Sequence, residues 1–136
     1  MTPRPARGLR VAHIGIAVDA LAPILPFYRD ILGMPVVPLD DSDGASITGL
    51  AADDTLIELL HSNKSGTPVE KFLRTRGPGV HHICFGVDDL DSTLERCRVA
   101  GLRLIDTAPR QGAEGKRIAF LHPSSTGGVL IELTEN

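Results

Sequence analysis

The sequence has no tryptophan, few other aromatic residues and little net charge, and each shortage excludes a class of protein. Aromatic residues make up 4% of the 136 residues, so the base-stacking platforms of single-strand nucleic-acid binders are missing. The net charge of -3 provides no basic surface for a polyanion. Nucleic acid is therefore not expected as a partner.

Cysteines and long apolar runs are also scarce. Cys84 and Cys97 are too few for a disulfide framework and match no CxxC metal motif, so both are expected as reduced thiols. No apolar stretch is long enough to span a membrane. The basic opening segment MTPRPARGLR lacks the apolar run of a secretory signal. We expect a cytoplasmic protein without a membrane partner.

What the sequence does contain is an internal repeat. VAHIGIAVDAL at 11–21 recurs as VHHICFGVDDL at 80–90, and the two segments align His13 with His82 without a gap. The tetrapeptide LIEL also occurs twice, and its two copies align Glu58 with Glu132. The chain is therefore expected to consist of two copies of one module, each contributing one histidine and one glutamate.

The expected organisation is a single domain, 1–136, built from these two modules. The first module covers 10–60 and the second covers 80–136, with a linker at 61–79 between them. In the linker, Thr67, Pro68 and Glu70 form a helix start with an N-cap, a first-turn proline and a capping-box glutamate.

The elements of each module are expected in the order strand, helix, strand, strand, strand. In the first module the helix is placed at 21–32 from its apolar spacing, with a start limited by Pro23 and Pro26. In the second module the helix is placed at 91–100 and ended by Gly101. The expected strands lie at 10–18, 35–38, 45–50, 55–60, 81–87, 103–105, 117–121 and 129–134.

Strand parity separates the two adjacent histidines. Side chains alternate between the faces of a strand, so His82 shares its face with Cys84 and Gly86, as His13 does with Gly15. These small neighbours indicate a roomy cavity in front of both histidines. His81 falls on the opposite, apolar face and is interpreted as structural.

Two histidines and two carboxylates in a repeated arrangement are a plausible first shell for a divalent transition metal. Glu58 and Glu132 lie inside apolar strands, where an unpaired carboxylate is costly, and a metal would pair with both. The competing interpretation makes the four residues ordinary half-buried histidines and edge-strand glutamates. The repetition of the set favours the metal.

The module order, with a histidine near each start and a glutamate near each end, resembles the vicinal oxygen chelate superfamily. Within that superfamily the phrases FYRDILG, TPVEKFL, GVHHICFGVDDLD, GKRIAFLHP and GVLIELTEN are similar to methylmalonyl-CoA epimerases. The resemblance implies an α+β fold in which two paired βαβββ modules form a curled mixed sheet around a metal site.

The resemblance also implies an activity, a ligand set and a partner. The metal ligands fall on His13, Glu58, His82 and Glu132, and they imply one divalent ion per chain, with cobalt preferred over manganese, nickel or zinc. The implied reaction interconverts the 2R and 2S forms of methylmalonyl-CoA by α-proton removal and return through a metal-stabilised enolate. Glu132 is the implied catalytic base, and a homodimer is the expected assembly.

Some relatives carry a second catalytic glutamate in the third strand, but the segment GASITGL at 44–50 has no acid. Asp43, Glu58 or a bound water is the alternative second base. The substrate-binding residues are not identified by the sequence. Lys64, Lys71, Lys116 and Arg117 are possible phosphate partners, but a solvated surface charge is the favoured interpretation of each.

Three other functions are compatible with the same fold. A glyoxalase-like lyase or isomerase acting on a glutathione adduct could use the same four ligands. A non-haem iron oxygenase needs two histidines and one carboxylate with open positions, and here a second carboxylate competes. A non-catalytic drug-binding protein would have little use for two glutamates that point into the cavity.

Overall fold

The computed structural model describes residues 2–136, which divide into two compact units. The central unit is His13–His82, and the terminal unit comprises the residues up to Ala12 together with Ile83–Asn136. Two strands, β1 (Arg10–Ala17) and β5 (Gly79–Val87), run from one unit into the other.

The central unit contains the first module. After β1 come β2 (Val36–Pro38), β3 (Ala45–Ala52) and β4 (Thr55–Ser62). Their order across the sheet is β2-β3-β4-β1. β4 is antiparallel to β3 on one side and parallel to β1 on the other. The two-residue turn between β3 and β4 includes Asp53 with a positive φ of 59°, a conformation that Asp tolerates in tight turns.

The helix expected at 21–32 is much shorter in the structure. A π-helical turn spans Phe27–Ile31, and its closing bond runs from the amide of Leu32 to the carbonyl of Phe27. Pro26 occupies the N-cap position, and both Pro23 and Pro26 lack the amide hydrogen that a regular helix needs. The two prolines therefore limit the helix more strongly than the apolar spacing predicts.

The linker helix α1 (Pro68–Arg76) begins where the sequence predicts. The Thr67 hydroxyl accepts a hydrogen bond from the amide of Glu70 at 3.3 Å. The Glu70 carboxylate, in turn, accepts from the amide of Gly66 at 3.3 Å. The reciprocal cap is thus present, but its second bond is shifted by one residue.

The terminal unit contains the second module. Its elements are β5, α2 (Leu90–Val99), β6 (Arg110–Gln111), β7 (Arg117–Leu121) and β8 (Leu130–Glu135), and its strand order is β5-β8-β7-β6. The Asp89 side chain caps α2 by accepting from the amide of Ser92, and Gly101 follows it with φ 80°. The predicted α+β class and the βαβββ order of each module are confirmed.

One predicted strand, 103–105, is wrong. This segment makes only a single bridge between Leu104 and Leu121, and the strand that pairs with β7 on the side away from β8 is Arg110–Gln111. The amides of Ile105 and Asp106 both donate to the carbonyl of Phe120. The Asp106 carboxylate then accepts from the amide of Phe120, so a side chain replaces the next bond of the ladder.

Each unit has its own apolar core. In the terminal unit, Leu90 and Leu94 of α2 pack with Ala119, Leu121 and Leu133. In the central unit, one cluster joins Ala17 to Val69 of α1, and a second surrounds Leu50 and Leu59. Among the residues that the structure describes, no helix is long and apolar enough to cross a membrane.

Candidate functional site

The first site histidine lies on the buried face of β1. His13, Gly15 and Ala17 are buried, whereas the intervening Ile14 and Ile16 are half-buried. Ile16 packs instead against the core around Leu50 and Leu59. The alternation predicted for this strand is therefore present, and it turns His13 away from the Leu50 cluster.

Glu58 lies on β4 between two glycines of the neighbouring strands. The sheet register pairs Glu58 with Gly15 of β1 on one side and with Gly49 of β3 on the other. Neither neighbour has a side chain, and the space that a Cβ would take is filled by the His82 ring at Gly15 and by Val37 and Leu39 at Gly49. Ile57 and Leu59, which flank Glu58, pack in the core on the opposite face.

The second site histidine lies on β5 with the predicted parity. His82, Cys84 and Gly86 are buried, whereas His81, Ile83 and Phe85 are half-buried. Phe85 packs against the core that contains Leu90 of α2. Cys84 and Cys97 are both free thiols, as predicted, and burial raises the pKa of the Cys97 thiol.

His13, Glu58 and His82 come together inside the central unit. Their exposed fractions are 3%, 3% and 5%. The Nε2 atoms of His13 and His82 are 3.0 Å apart, and the Nδ1 atom of His13 is 3.3 Å from Oε2 of Glu58. Three of the four predicted ligands therefore form one buried cluster.

The Glu58 carboxylate lies 3.3 Å from Nδ1 of His13 and biases where that ring carries its proton. An ionised carboxylate only accepts hydrogen bonds, so it favours a proton on Nδ1 of His13 and a lone pair on Nε2. Metal-bound histidines commonly have this pattern, in which the second ring nitrogen donates to a carboxylate and the first binds the ion. Two nitrogen ligands at about 2.0–2.1 Å from one zinc ion lie within about 4 Å of each other, and the 3.0 Å separation of the two Nε2 atoms satisfies this limit. The cluster fits a divalent metal ion.

The space in front of Gly15 differs from the expectation. The sequence indicates a roomy cavity there, but a Cβ built on Gly15 would overlap the imidazole of His82. Gly15 therefore makes room for a neighbouring ring, and that ring fills the space that the small residues suggested was open. The sequence correctly indicates that a small residue is needed at Gly15, but the predicted open cavity in front of it is wrong.

His81 has a contact that strand parity did not predict. Its ring packs edge-on against Phe72 of α1, with centroids 5.0 Å apart, as expected for a structural residue. Its Nδ1 atom also lies 2.9 Å from Nδ1 of His82. Parity places the Cβ atoms of neighbouring residues on opposite faces but does not limit how far two imidazole rings reach around the strand.

Glu132, the fourth predicted ligand, lies in the terminal unit on β8. It is 6% exposed and pairs in register with Phe120 of β7. The flanking Ile131 and Leu133 both pack in the core with α2, so the glutamate lies on the other face of its strand. This arrangement repeats that of Glu58 on β4.

The remaining sequence candidates are exposed at the surface, except for the half-buried Lys116. Asp43 is exposed in the turn before β3, with a positive φ of 52°. Arg117 forms ion pairs with Asp91 at 3.0 Å and with Glu135 at 3.2 Å, which accounts for its charge without a phosphate. Lys64 lines an open surface cavity of about 470 Å³ next to α1.

Comparison with known proteins gives consistent similarities. Residues 12–120 match the model of the glyoxalase/bleomycin resistance protein/dioxygenase superfamily. The chain is 38% identical over 130 residues to the ethylmalonyl-CoA/methylmalonyl-CoA epimerase of Cereibacter sphaeroides, covering 93% of this chain and 97% of the relative.

Solved structures show the same similarity. The methylmalonyl-CoA epimerase of Mycobacterium tuberculosis superposes with a TM-score of 0.86 at 38% identity, covering 94% of this chain and 87% of that one. A methylmalonyl-CoA epimerase in complex with methylmalonyl-CoA and NH4+ superposes with a TM-score of 0.87 at 35% identity, covering 95% of both chains. The predicted fold of two paired modules is confirmed.

Proposed function

The chain belongs to the glyoxalase/bleomycin resistance protein/dioxygenase superfamily, and within it we propose that the chain is a methylmalonyl-CoA epimerase. The observation that carries this proposal is the buried cluster of His13, Glu58 and His82 in a chain that is 35–38% identical to such epimerases over more than nine-tenths of its length. The substrate is then an acyl-CoA thioester, and the expected assembly is a homodimer.

One divalent ion per chain is held by His13, Glu58, His82 and Glu132 in this proposal. The two imidazoles are supported by the contact between their Nε2 atoms. Glu58 is supported by its burial beside His13: its Oε2 contacts Nδ1 of His13, and its other carboxylate oxygen is the proposed ligand atom. Glu132 is supported by its burial and by the repeat that pairs it with Glu58. Imidazole and carboxylate ligands suit several transition metals, and cobalt is the proposed ion, with manganese, nickel and zinc as alternatives.

The reaction moves one proton at the carbon between the carboxylate and the thioester. A bound divalent ion supplies Lewis-acid stabilisation of the negative charge that develops on the thioester oxygen. Glu132 accepts the α-proton, and its burial excludes water that would otherwise compete for that proton. Return of a proton to the opposite face of the planar carbon inverts its configuration.

Inversion needs a proton donor on the other face of the substrate. Asp43, Glu58 and a bound water are the candidates in this chain, because β3 has no acid between Ala45 and Ala52. Glu58 is the buried one of the two side chains, whereas Asp43 is exposed. A donor must lie within hydrogen-bond reach of the carbon that it protonates, and Asp43, Glu58 and a bound water all stay open as that donor.

The same residues support the alternative functions less well than they support an epimerase. A protein that sequesters a drug without a metal gains nothing from two imidazoles and a carboxylate buried together, because burying such groups is costly. A glyoxalase-like enzyme would use the same ligands on a glutathione adduct, so the choice between these two enzymes depends on the substrate.

Product analysis with single epimers tests the proposal. Metal-loaded protein is incubated with (2R)-methylmalonyl-CoA, whose conversion to the 2S form is measured with an enzyme specific for that form, and separately with the methylglyoxal-glutathione adduct. We expect conversion of methylmalonyl-CoA and no turnover of the methylglyoxal-glutathione adduct. Turnover of the glutathione adduct alone would overturn the proposal and assign the chain to the lyases.

A further inference from the structure

His81 lies beside the metal-binding cluster without belonging to it. Its Nδ1 atom is 2.9 Å from Nδ1 of His82, within the range of a good hydrogen bond. The other ring nitrogen of His82, Nε2, is the one that lies 3.0 Å from Nε2 of His13. The two nitrogens of His82 thus have separate partners, one on each side of the ring.

Only one arrangement of protons allows His82 to bind an ion through Nε2. A ligating nitrogen must offer its lone pair, so the proton of neutral His82 must be on Nδ1. That proton needs an acceptor because the residue is buried. The neighbouring Nδ1 of His81 can accept this hydrogen bond only if it is unprotonated. The proton of neutral His81 must then be on its own Nε2.

The ring of His81 is held in place for this role. It packs edge-on against Phe72 with centroids 5.0 Å apart, and the guanidinium of Arg76 lies over the same phenyl ring at 5.7 Å. Both Phe72 and Arg76 are on α1. The linker helix therefore fixes the ring that contacts His82, while Glu58 has the equivalent position next to Nδ1 of His13.

We propose that His81 is a positioning residue that accepts the Nδ1 proton of His82 and so leaves Nε2 of His82 to the metal. His81 contacts His82 from the Nδ1 side of its ring, as Glu58 contacts His13 from the Nδ1 side of that ring. This inference rests on the metal site of the proposed function. It assigns to His81 no contact with the substrate.

Zinc binding tests the role with two matched variants. The side-chain oxygen of asparagine can occupy the position of Nδ1 and accept a hydrogen bond, whereas leucine has no acceptor. Loss of such a partner typically lowers metal affinity by about 10–100-fold. We expect that loss for His81→Leu in a chelator competition with Zn²⁺, and an affinity close to wild type for His81→Asn.

Equal weakening in both variants would show that the His81 ring is needed only for packing, and unchanged affinity in His81→Leu would show that it is not needed at all. Either result overturns the proposal.

Nitrogen NMR of the zinc-loaded wild-type protein gives a second test that needs no variant. Long-range ¹H–¹⁵N spectra are expected to show an unprotonated Nδ1 and a protonated Nε2 for His81. The reverse tautomer would overturn the proposal even if His81→Leu failed to fold. Because neither measurement uses the thioester, a protein with the expected tautomer but no epimerase activity would contradict the proposed function and leave the role of His81 intact.

Discussion

At the scale of single residues, the cluster is defined by what lies behind each imidazole. Glu58 stands 3.3 Å from His13 and His81 stands 2.9 Å from His82, and both contacts are made through Nδ1. The Nε2 atoms are consequently directed towards each other. At 3.0 Å the two Nε2 atoms are within hydrogen-bond distance when one of them is protonated. With both protons on Nδ1 their lone pairs would repel, and a cation bound to both removes that repulsion.

The two glutamates are expected to respond differently to the same substitution. Glutamine keeps one oxygen that can bind a metal or accept from His13, but it does not take up a proton as a carboxylate does. Glu58→Gln should therefore retain the metal and much of the activity. Glu132→Gln should retain the metal and lose about a hundredfold or more in kcat, the typical loss for a missing general base.

Metal content and steady-state rates of both variants provide the measurement. If both proteins keep their metal and Glu58→Gln is the slower, the base that removes the α-proton lies in the first module.

Gly15 is expected to be intolerant of a single methyl group. In a strand, alanine is normally favoured over glycine by about 0.5–1 kcal/mol, but here the added Cβ would overlap the ring of His82. Overpacking of this kind costs about 1–3 kcal/mol, so the clash outweighs the gain. Gly15→Ala should lower the free energy of unfolding and weaken Zn²⁺ binding.

The control for Gly15→Ala is the same substitution made in His82→Ala, where the ring is absent. Urea unfolding of the four proteins in this cycle should show that the penalty disappears, or changes sign, in the second background. An equal penalty in both backgrounds would show that something other than His82 rejects the methyl group.

These residues also show the limit of prediction from sequence at this scale. The internal repeat and strand parity identified His13, Glu58 and His82 because periodicity determines where each Cβ points. Periodicity says nothing about the ring torsions that bring His81 to His82. The small size of Gly15 predicts open space, because the sequence does not distinguish a cavity from a neighbouring ring that takes the place of the missing side chain.

At the scale of elements, the sheet was more predictable than the helices. The alternation of apolar and polar residues predicts the ends of β1, β4, β5 and β7 to within about two residues. This works because one face of each strand is packed, so the alternation is strict. The helix predicted at 21–32 is too long because Pro23 and Pro26 remove backbone donors. The strand predicted at 103–105 is wrong because the Asp106 carboxylate accepts the hydrogen bond from the amide of Phe120. The composition of the segment does not reveal this contact.

The start of α1 is expected to depend on one hydroxyl. The Thr67 side chain accepts from the amide of Glu70, and α1 carries both Phe72 and the apolar Val69 that packs against Ala17 of β1. Removing an N-cap hydroxyl costs about 1 kcal/mol. Thr67→Ala should therefore lower the free energy of unfolding by about this amount in urea denaturation, whereas Thr67→Ser should stay close to wild type. A larger loss in Thr67→Ser than in Thr67→Ala would contradict the capping role.

At the scale of the whole molecule, the repeat connects the fold to the function. Each module supplies one buried histidine and one buried glutamate from equivalent strands. The histidines are on β1 and β5, and the glutamates are on β4 and β8. The duplication explains why these four buried residues could be picked out from one sequence. It does not explain substrate choice, because loops and surface side chains outside the repeated strands determine what enters a site.

Proton exchange at the α-carbon tests the central claim most directly. The metal-loaded protein is incubated with methylmalonyl-CoA in deuterated water, and the α-proton and methyl signals are followed by ¹H NMR, with metal-free protein and Glu132→Gln as controls. We predict loss of the α-proton signal and collapse of the methyl doublet with the loaded wild-type protein, at a rate at least about a hundredfold above that of Glu132→Gln. A protein that binds the metal and the thioester but leaves the α-proton in place would contradict the account.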